Sequence, residues 1–516
     1  MQHYRTDDGA VMVMGGVPIW LFLLGIGCVI AASFVATERF VIRLPTLGGR
    51  DLLGRGRLYR LVKSRWFQAV PQLIMSVLLI LLIYAGLFGS RVANIVPVAV
   101  WTLWWAGLIF TVLFLASAWC FVCPWDGLAN LVSRLRLSKK VEGLSLNLPF
   151  PKWLKSVWPA TLLFALLTWL ELGYGVTTNP RATAYMGLAM AGAAVLSALL
   201  WEGKRFCAHF CPVGRICGAY SNFAPVEIRG RKASVCASCK TEDCRYGAGE
   251  GYACPTGISL KVIQDSTHCT MCTECIKSCK KQNIAINLRG LGVGLDPKAP
   301  VRRDVAWLAI ILLALTLFHG LSMTPAWESF APGKMSALKW LDVHLGLGRT
   351  VSFSVGMLLA VAFPVLLYWL SCGAAAQWAK SGVSSKEIFY RYAPTLLPIA
   401  LFYHLAHNLM HLLSEGGHIV PMVSDPMGDG SNFLGTAAMH VGPLLANEAI
   451  WYLQVALIVA GHVFGVLTAH RYAHAHYADS RAATRSLVPM TVMMVALSIA
   501  GLSLMHMDMN MRIGRM

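Results

Sequence analysis

Along this chain, apolar runs of about twenty residues alternate with shorter polar stretches. The runs lie near 11–36, 68–89, 95–120, 155–176, 182–202, 304–323, 350–372, 391–413, 449–471 and 487–506. A helix of about twenty apolar residues is what it takes to cross the hydrocarbon core of a bilayer. The pattern therefore predicts an α-helical polytopic membrane protein of about ten transmembrane helices. Between the fifth and sixth runs the pattern lapses. Residues 203–303 carry Gly, Pro and charged residues at loop density, with no long apolar run. Three blocks follow: an N-terminal membrane block, 1–202, an inserted segment, 203–303, and a C-terminal membrane block rich in His and Met, 304–516.

Charge changes the picture by its distribution. The chain has a net charge of +19, with 13% charged residues against 56% hydrophobic ones. Arg39, Arg43, Arg50, Arg55, Arg57, Arg60, Lys63 and Arg65 lie between the first two runs, and Arg134, Arg136, Lys139 and Lys140 follow the third. The insert, the 380–391 loop and the 471–485 loop are also basic, whereas 414–448 holds four acids and no Lys or Arg. Ten spans place every basic segment on one side. By the positive-inside rule that side is the cytoplasm, with both termini outside the inner membrane. The charge is thus a topology signal and not a nucleic-acid footprint. The opening "MQHYRTDDGA" is not basic and the run after it is long, so an anchor is expected there and not a cleaved signal.

Fifteen cysteines bring in the chemistry. In a reducing compartment they read as metal ligands and not as disulfides. "HCTMCTECIKSCKKQNIAI" has the spacing Cys269-x2-Cys272-x2-Cys275-x3-Cys279, that of bacterial ferredoxins, with Lys280 where Pro is usual. Upstream stand Cys236, Cys239, Cys244 and then Cys254 before Pro255. In the crossed arrangement of two-cluster ferredoxins, Cys236, Cys239, Cys244 and Cys279 hold one [4Fe–4S] cluster. Cys254, Cys269, Cys272 and Cys275 hold the other. A structural zinc site also uses C-x2-C pairs, but the four-cysteine run favours iron–sulfur. The insert is therefore expected to be a cytoplasmic ferredoxin-like α+β domain.

Two further pairs end membrane helices. "WCFVCPW" gives Cys120 and Cys123, and "FCAHFCPVG" gives Cys207 and Cys211, each pair followed by Pro. Topology puts all four at one membrane surface, where they complete a third [4Fe–4S] site. Cys217 is left over, and Cys28 and Cys372 read as structural.

Helices ending in Cys-Pro pairs, followed by this cysteine module, resemble the NapH/NosR-type membrane polyferredoxins, with a partial likeness to CcoG-type proteins. The resemblance spans roughly 68–285. It implies electron transfer between the quinone pool or an external redox partner and a further acceptor, with the twelve cysteines above as cluster ligands. The first pair here is C-x2-CP where C-x3-CP is usual. A flavin domain before the membrane block is not expected, the sequence holds no C-x-x-C-H, and the block 304–516 lies outside the pattern.

That block has its own candidates. In "LFYHLAHNLMHLLSEGGH", His404, His407 and His411 form one helical stripe. By helix rise, His462 falls at the depth of His404, and His319 at that of His407. Three readings stand: axial ligands of haem b, a copper or other metal site, or hydrogen-bonded histidines with no cofactor. The tail around Met505, His506, Met507, Met509 and Met511 has soft donors suited to copper. Glu171 and Glu448 are candidate proton acceptors for a quinol. Transmembrane electron transfer is the leading expectation, with a redox protein or quinone as partner. A copper reductase or cofactor-maturation protein, and a redox-coupled transporter or sensor, are the alternatives.

Overall fold

The computed structural model describes residues 2–6, 9–38, 49–134, 144–249, 251–329 and 334–511. Arg39, Arg43, Arg136, Lys139 and Lys140 lie outside these. Each of the ten apolar runs contains a helix: α1 (Ile19–Glu38), α2 (Trp66–Phe88), the composite α3 (Ile95–Val132), α4 (Trp158–Gly173), α5 (Pro180–Leu200), α6 (Arg303–Ser322), α7 (Arg349–Ala379), α8 (Leu397–Glu415), α9 (Asn447–His476) and α10 (Ser480–His506). Among the described residues, eight helices are long and apolar enough to cross a membrane, while Ile19–Val35 and Trp158–Gly173 are shorter apolar helices. At 1.5 Å per residue the 16 residues of α4 span about 24 Å, short of a full hydrocarbon core.

The first helix starts later than the expected residue 11. Gly9–Met14 is a strand, paired antiparallel with Gln2–Thr6 on one side and Met509–Met511 on the other. The Gly15-Gly16 pair and Pro18 separate it from α1, because neither residue type favours a helix interior. The two ends of the chain therefore meet. At its other end α9 continues through His476, past the expected 471.

α8 is the central helix. Every residue from Leu397 to Asn408 is buried, the signature of a helix surrounded on all sides. It packs on α9 at close range. A Cβ on Gly461 would stand 2.5 Å from Cβ of Phe402, so the two backbones can meet only because that residue is glycine.

The cysteine-rich segment hangs from a small antiparallel sheet in which Val226–Gly230 and Arg50–Asp51 flank Ile284–Leu288. Its own core joins Leu53, Tyr59 and Val62 to Val226, Ile228, Met271, Ile276 and Ile284. The first part of the expected insert packs with the membrane helices. Helix Pro212–Ser221 is buried along its whole length, and its Val213, Ile216, Cys217 and Tyr220 belong to the membrane core.

Candidate metal-cluster site and membrane pocket

The two helix-end pairs are built alike. The composite α3 breaks at Ala116, whose φ is 54°, turns through a short 3-10 stretch and is interrupted again at Cys123. The other pair sits on a π-turn, Phe206–Phe210, that ends at Cys211. Cys123 and Cys211 are extended, with ψ of 124° and 110°, because each precedes a proline. Pro124 and Pro212 then open new helices, where a missing N–H costs nothing. Cys211 caps its helix, its Sγ accepting from Gly214 N at 3.3 Å.

These turns bring Cys120, Cys123, Cys207 and Cys211 to the wall of one cavity, although the two pairs are more than eighty residues apart in sequence. Asp126 and Lys204 stand at the same wall, Nζ to Oδ1 at 2.6 Å. Burial pushes the Cys207 and Cys211 thiols up from their ordinary value, so thiolates there call for positive charge. Arg215 supplies one. It is fully buried, its Nε and Nη2 have no hydrogen-bond partner, and it interacts electrostatically with Cys120, Cys211 and Cys207. Cys217 is completely buried and interacts with Cys211; it does not line the cavity.

The remaining eight cysteines fall into two groups. Cys244, Cys254, Cys269, Cys272 and Cys275 line a second cavity. Cys244 interacts most strongly with Cys236, Cys279 and Cys239 among the thiols. Asn283 ties two of that group together: its Nδ2 donates to Cys236 Sγ at 3.2 Å and its backbone N to Cys279 Sγ at 3.5 Å. Burial raises Cys244, Cys269 and Cys275, and takes Cys272 up to about 12, while the Thr241 hydroxyl lowers the exposed-side Cys239. The groups adjoin in series, because Cys244 borders the second cavity and Cys272 lines both the second and the helix-end cavity.

Among the described residues no three His, Cys, Asp or Glu side chains close around a single metal ion. A four-iron cubane sets its ligands wider than one ion does. All-thiol groups of four, with N–H donors to sulfur, fit such a cluster chemically.

Above the helix-end cavity lies a membrane pocket of about 350 Å³. Trp119, Trp125 and Val213 line both, so only side chains separate them. The indole N–H groups of Trp104, Trp119 and Trp125 are buried without a protein acceptor. Glu171 is the single acid among the lining residues.

The histidines do not make room for haem. Nε2 of His462 bonds Ser33 Oγ at 2.7 Å and Nδ1 bonds Ser498 Oγ at 2.9 Å, so both ring nitrogens are occupied. The close contact of Gly461 with Phe402 leaves no gap for a macrocycle between His404 and His462, and His404 Nδ1 faces Tyr220 OH at 3.4 Å. His319 and His407 touch ring to ring at 5.0 Å, where a porphyrin would have to lie between them. The expected haem pairs are thus not supported by the packing. His411 bonds Glu415 at 3.3 Å. In the Met/His tail, His506 Nδ1 bonds Val17 O at 2.6 Å and Met505 Sδ accepts from Gln454 at 3.2 Å. Glu448, at the start of α9, does not line the pocket.

No family model, curated protein or solved structure matches the chain. Sequence reasoning missed Asp126, Lys204, Arg215 and the tryptophans. Asp126 carried a signal, an acid three residues past a helix-end cysteine in an apolar span.

Proposed function

We propose that this chain is a multi-pass electron carrier of the cytoplasmic membrane, akin to the NapH/NosR-type polyferredoxins. In this reading three [4Fe–4S] clusters exchange electrons with a quinol held in the membrane pocket. The observation that carries it is the continuity of pocket and thiols: a membrane cavity abuts the cavity lined by Cys120, Cys123, Cys207, Cys211 and Cys272, and Cys272 also lines the next cavity with Cys244, Cys254, Cys269 and Cys275. A bound quinol supplies two electrons and two protons. Unpartnered indole N–H groups suit its oxygen atoms, and a buried donor without an acceptor calls for such a ligand. The thiolates hold the clusters, Arg215 offsets their negative charge, and the basic segments keep the insert in the cytoplasm.

Iron and acid-labile sulfide analysis of anaerobically purified protein tests the reading. About twelve irons per chain are expected, with bleaching of the visible absorbance by a short-chain quinol analogue. Fewer than about four irons per chain would sink it.

A further inference from the structure

A row of five titratable side chains runs from the membrane pocket through the second block. Glu171 Oε1 on α4 stands 3.7 Å from His319 Nε2 on α6. The His319 ring meets His407 on α8 at a 5.0 Å centroid distance, and His407 meets His411 at 5.1 Å. His411 Nδ1 is 3.3 Å from Glu415 Oε2, which also accepts from Thr102 Oγ1 at 3.3 Å. All five lie in the interior of the bundle.

We propose that Glu171, His319, His407, His411 and Glu415 form a proton relay that drains the membrane pocket toward the end of the bundle opposite the cysteines. This rests on the reading of that pocket as a quinol site. Its direction follows from the helices. α4 starts beside the cysteine side, where Ser156 O faces His209, and Glu171 lies 13 residues beyond Trp158, about 20 Å along the axis. Glu415 is the last residue of α8, where the chain leaves the helix.

The arrangement differs from that of a structural histidine. His462 shows the structural solution in the same bundle: two serine hydroxyls, one per nitrogen, and no acid. The row from Glu171 to Glu415 instead has a carboxylate at each end and imidazoles between. His407, His411 and Glu415 recur every four residues, on one face of α8. Ionisable groups inside a membrane bundle are costly, and a continuous row of five is hard to account for as packing.

The balance is simple. Oxidation of one quinol releases two electrons and two protons. The two electrons would pass singly to oxidised clusters held by the cysteines, which would supply the one-electron acceptors. In each proton transfer a quinol O–H bond breaks and a Glu171 carboxyl O–H forms. Glu171 then passes the proton to His319, each imidazole takes a proton on one nitrogen and releases one from the other, and Glu415, the last residue of its helix, receives it and gives it up to water before the second proton arrives. Glu171 is ionised again before the second proton leaves.

Stopped-flow reduction of the clusters in the full chain tests this, with two donors compared. A short-chain quinol analogue must lose protons in the pocket; dithionite delivers electrons without them. Glu171→Gln and Glu415→Gln are each expected to slow quinol-driven reduction about a hundredfold while leaving the dithionite rate and iron content unchanged. Glu415 does not line the pocket, so its variant separates proton removal from quinol binding. If both variants match the wild-type quinol rate, the relay is wrong while the quinol reading stands. A wild-type protein with full iron that no quinol reduces overturns that reading and the relay with it. Equal slowing with both donors also overturns the relay, because it marks a structural defect.

Discussion

Lys204 Nζ lies 2.6 Å from Asp126 Oδ1 at the wall of the helix-end cysteine cavity. Asp126 follows Cys123 on α3, and Lys204 precedes Cys207. The pair therefore clamps together two half-sites that the chain makes far apart. Asp126 also accepts from Gln72 Nε2 at 2.8 Å and Asn130 Nδ2 at 3.2 Å, so its carboxylate is fully engaged.

Removing the cation leaves that carboxylate buried and under-compensated, at a cost of about 3 kcal/mol. Lys204→Met is thus expected to lower the thermal midpoint and to deplete the helix-end site of iron, by about four irons per chain. Lys204→Arg keeps the charge and restores most of the iron. Iron analysis of the two variants side by side checks this; equal iron in Lys204→Met and wild type would remove the clamp from the account.

The cysteines themselves give a sharper test. Cys123→Ser and Cys211→Ser are expected to lose about a third of the iron, and Cys217→Ser to lose none. Cys217 lies in the core away from the cavity wall, although it is near Cys120 and Cys211. Should Cys217→Ser be the variant that loses iron, the ligand set would have to be redrawn around it.

Much of this organisation was legible in the sequence because its causes are local. Twenty-residue apolar runs mark helices, and a Cys before a Pro marks a helix junction with an extended residue. Spacings of two and three hold thiols in one short loop. What stayed illegible depends on which helices touch. Glu171 and Glu415 are far apart in sequence, and only the docking of α4, α6 and α8 puts them on one row. His462 shows the same limit from the other side. Its depth in the membrane matched a haem ligand, but Ser33 and Ser498 arrive from the two neighbouring helices and take both nitrogens. The strand at Gly9–Met14 was hidden because its apolar residues run straight on into those of α1; it pairs with its neighbour Gln2–Thr6 and with Met509–Met511 from the other end of the chain.

Gly230 provides a local probe of the first cysteine group. A Cβ at this position would stand 2.5 Å from Cys236 Sγ, closer than any real contact allows. The strand cannot yield easily, since Gly230 is paired with Ile284. Gly230→Ala is expected to displace Cys236 and abolish the electron paramagnetic resonance signal of one reduced cluster, with the other two signals intact. Retention of all three signals would remove Cys236 from the ligand set.

His268 carries a pH prediction. Its Nδ1 is 2.6 Å from Arg215 Nη1, and its Nε2 faces Arg302 Nη1. Burial, with the two guanidinium groups beside it, takes its pKa down from 6.5 to about 2. In the unfolded chain the ring takes up a proton near its ordinary value; in the folded chain it refuses one until the pH is near 2. The unfolded state then binds more protons across that whole window, so stability falls as pH falls from about 6.5 toward 2. At pH 5 the loss from this one group is about 2 kcal/mol relative to neutral pH. Other groups titrate over the same range, so the measurement is a difference. The thermal midpoints of wild type and His268→Gln are compared at pH 7.5 and pH 5. The wild-type midpoint should drop further on acidification, because glutamine cannot take up the proton. An equal drop in both proteins would mean that His268 is charged in the folded state at pH 5, and that the two arginines do not hold it neutral.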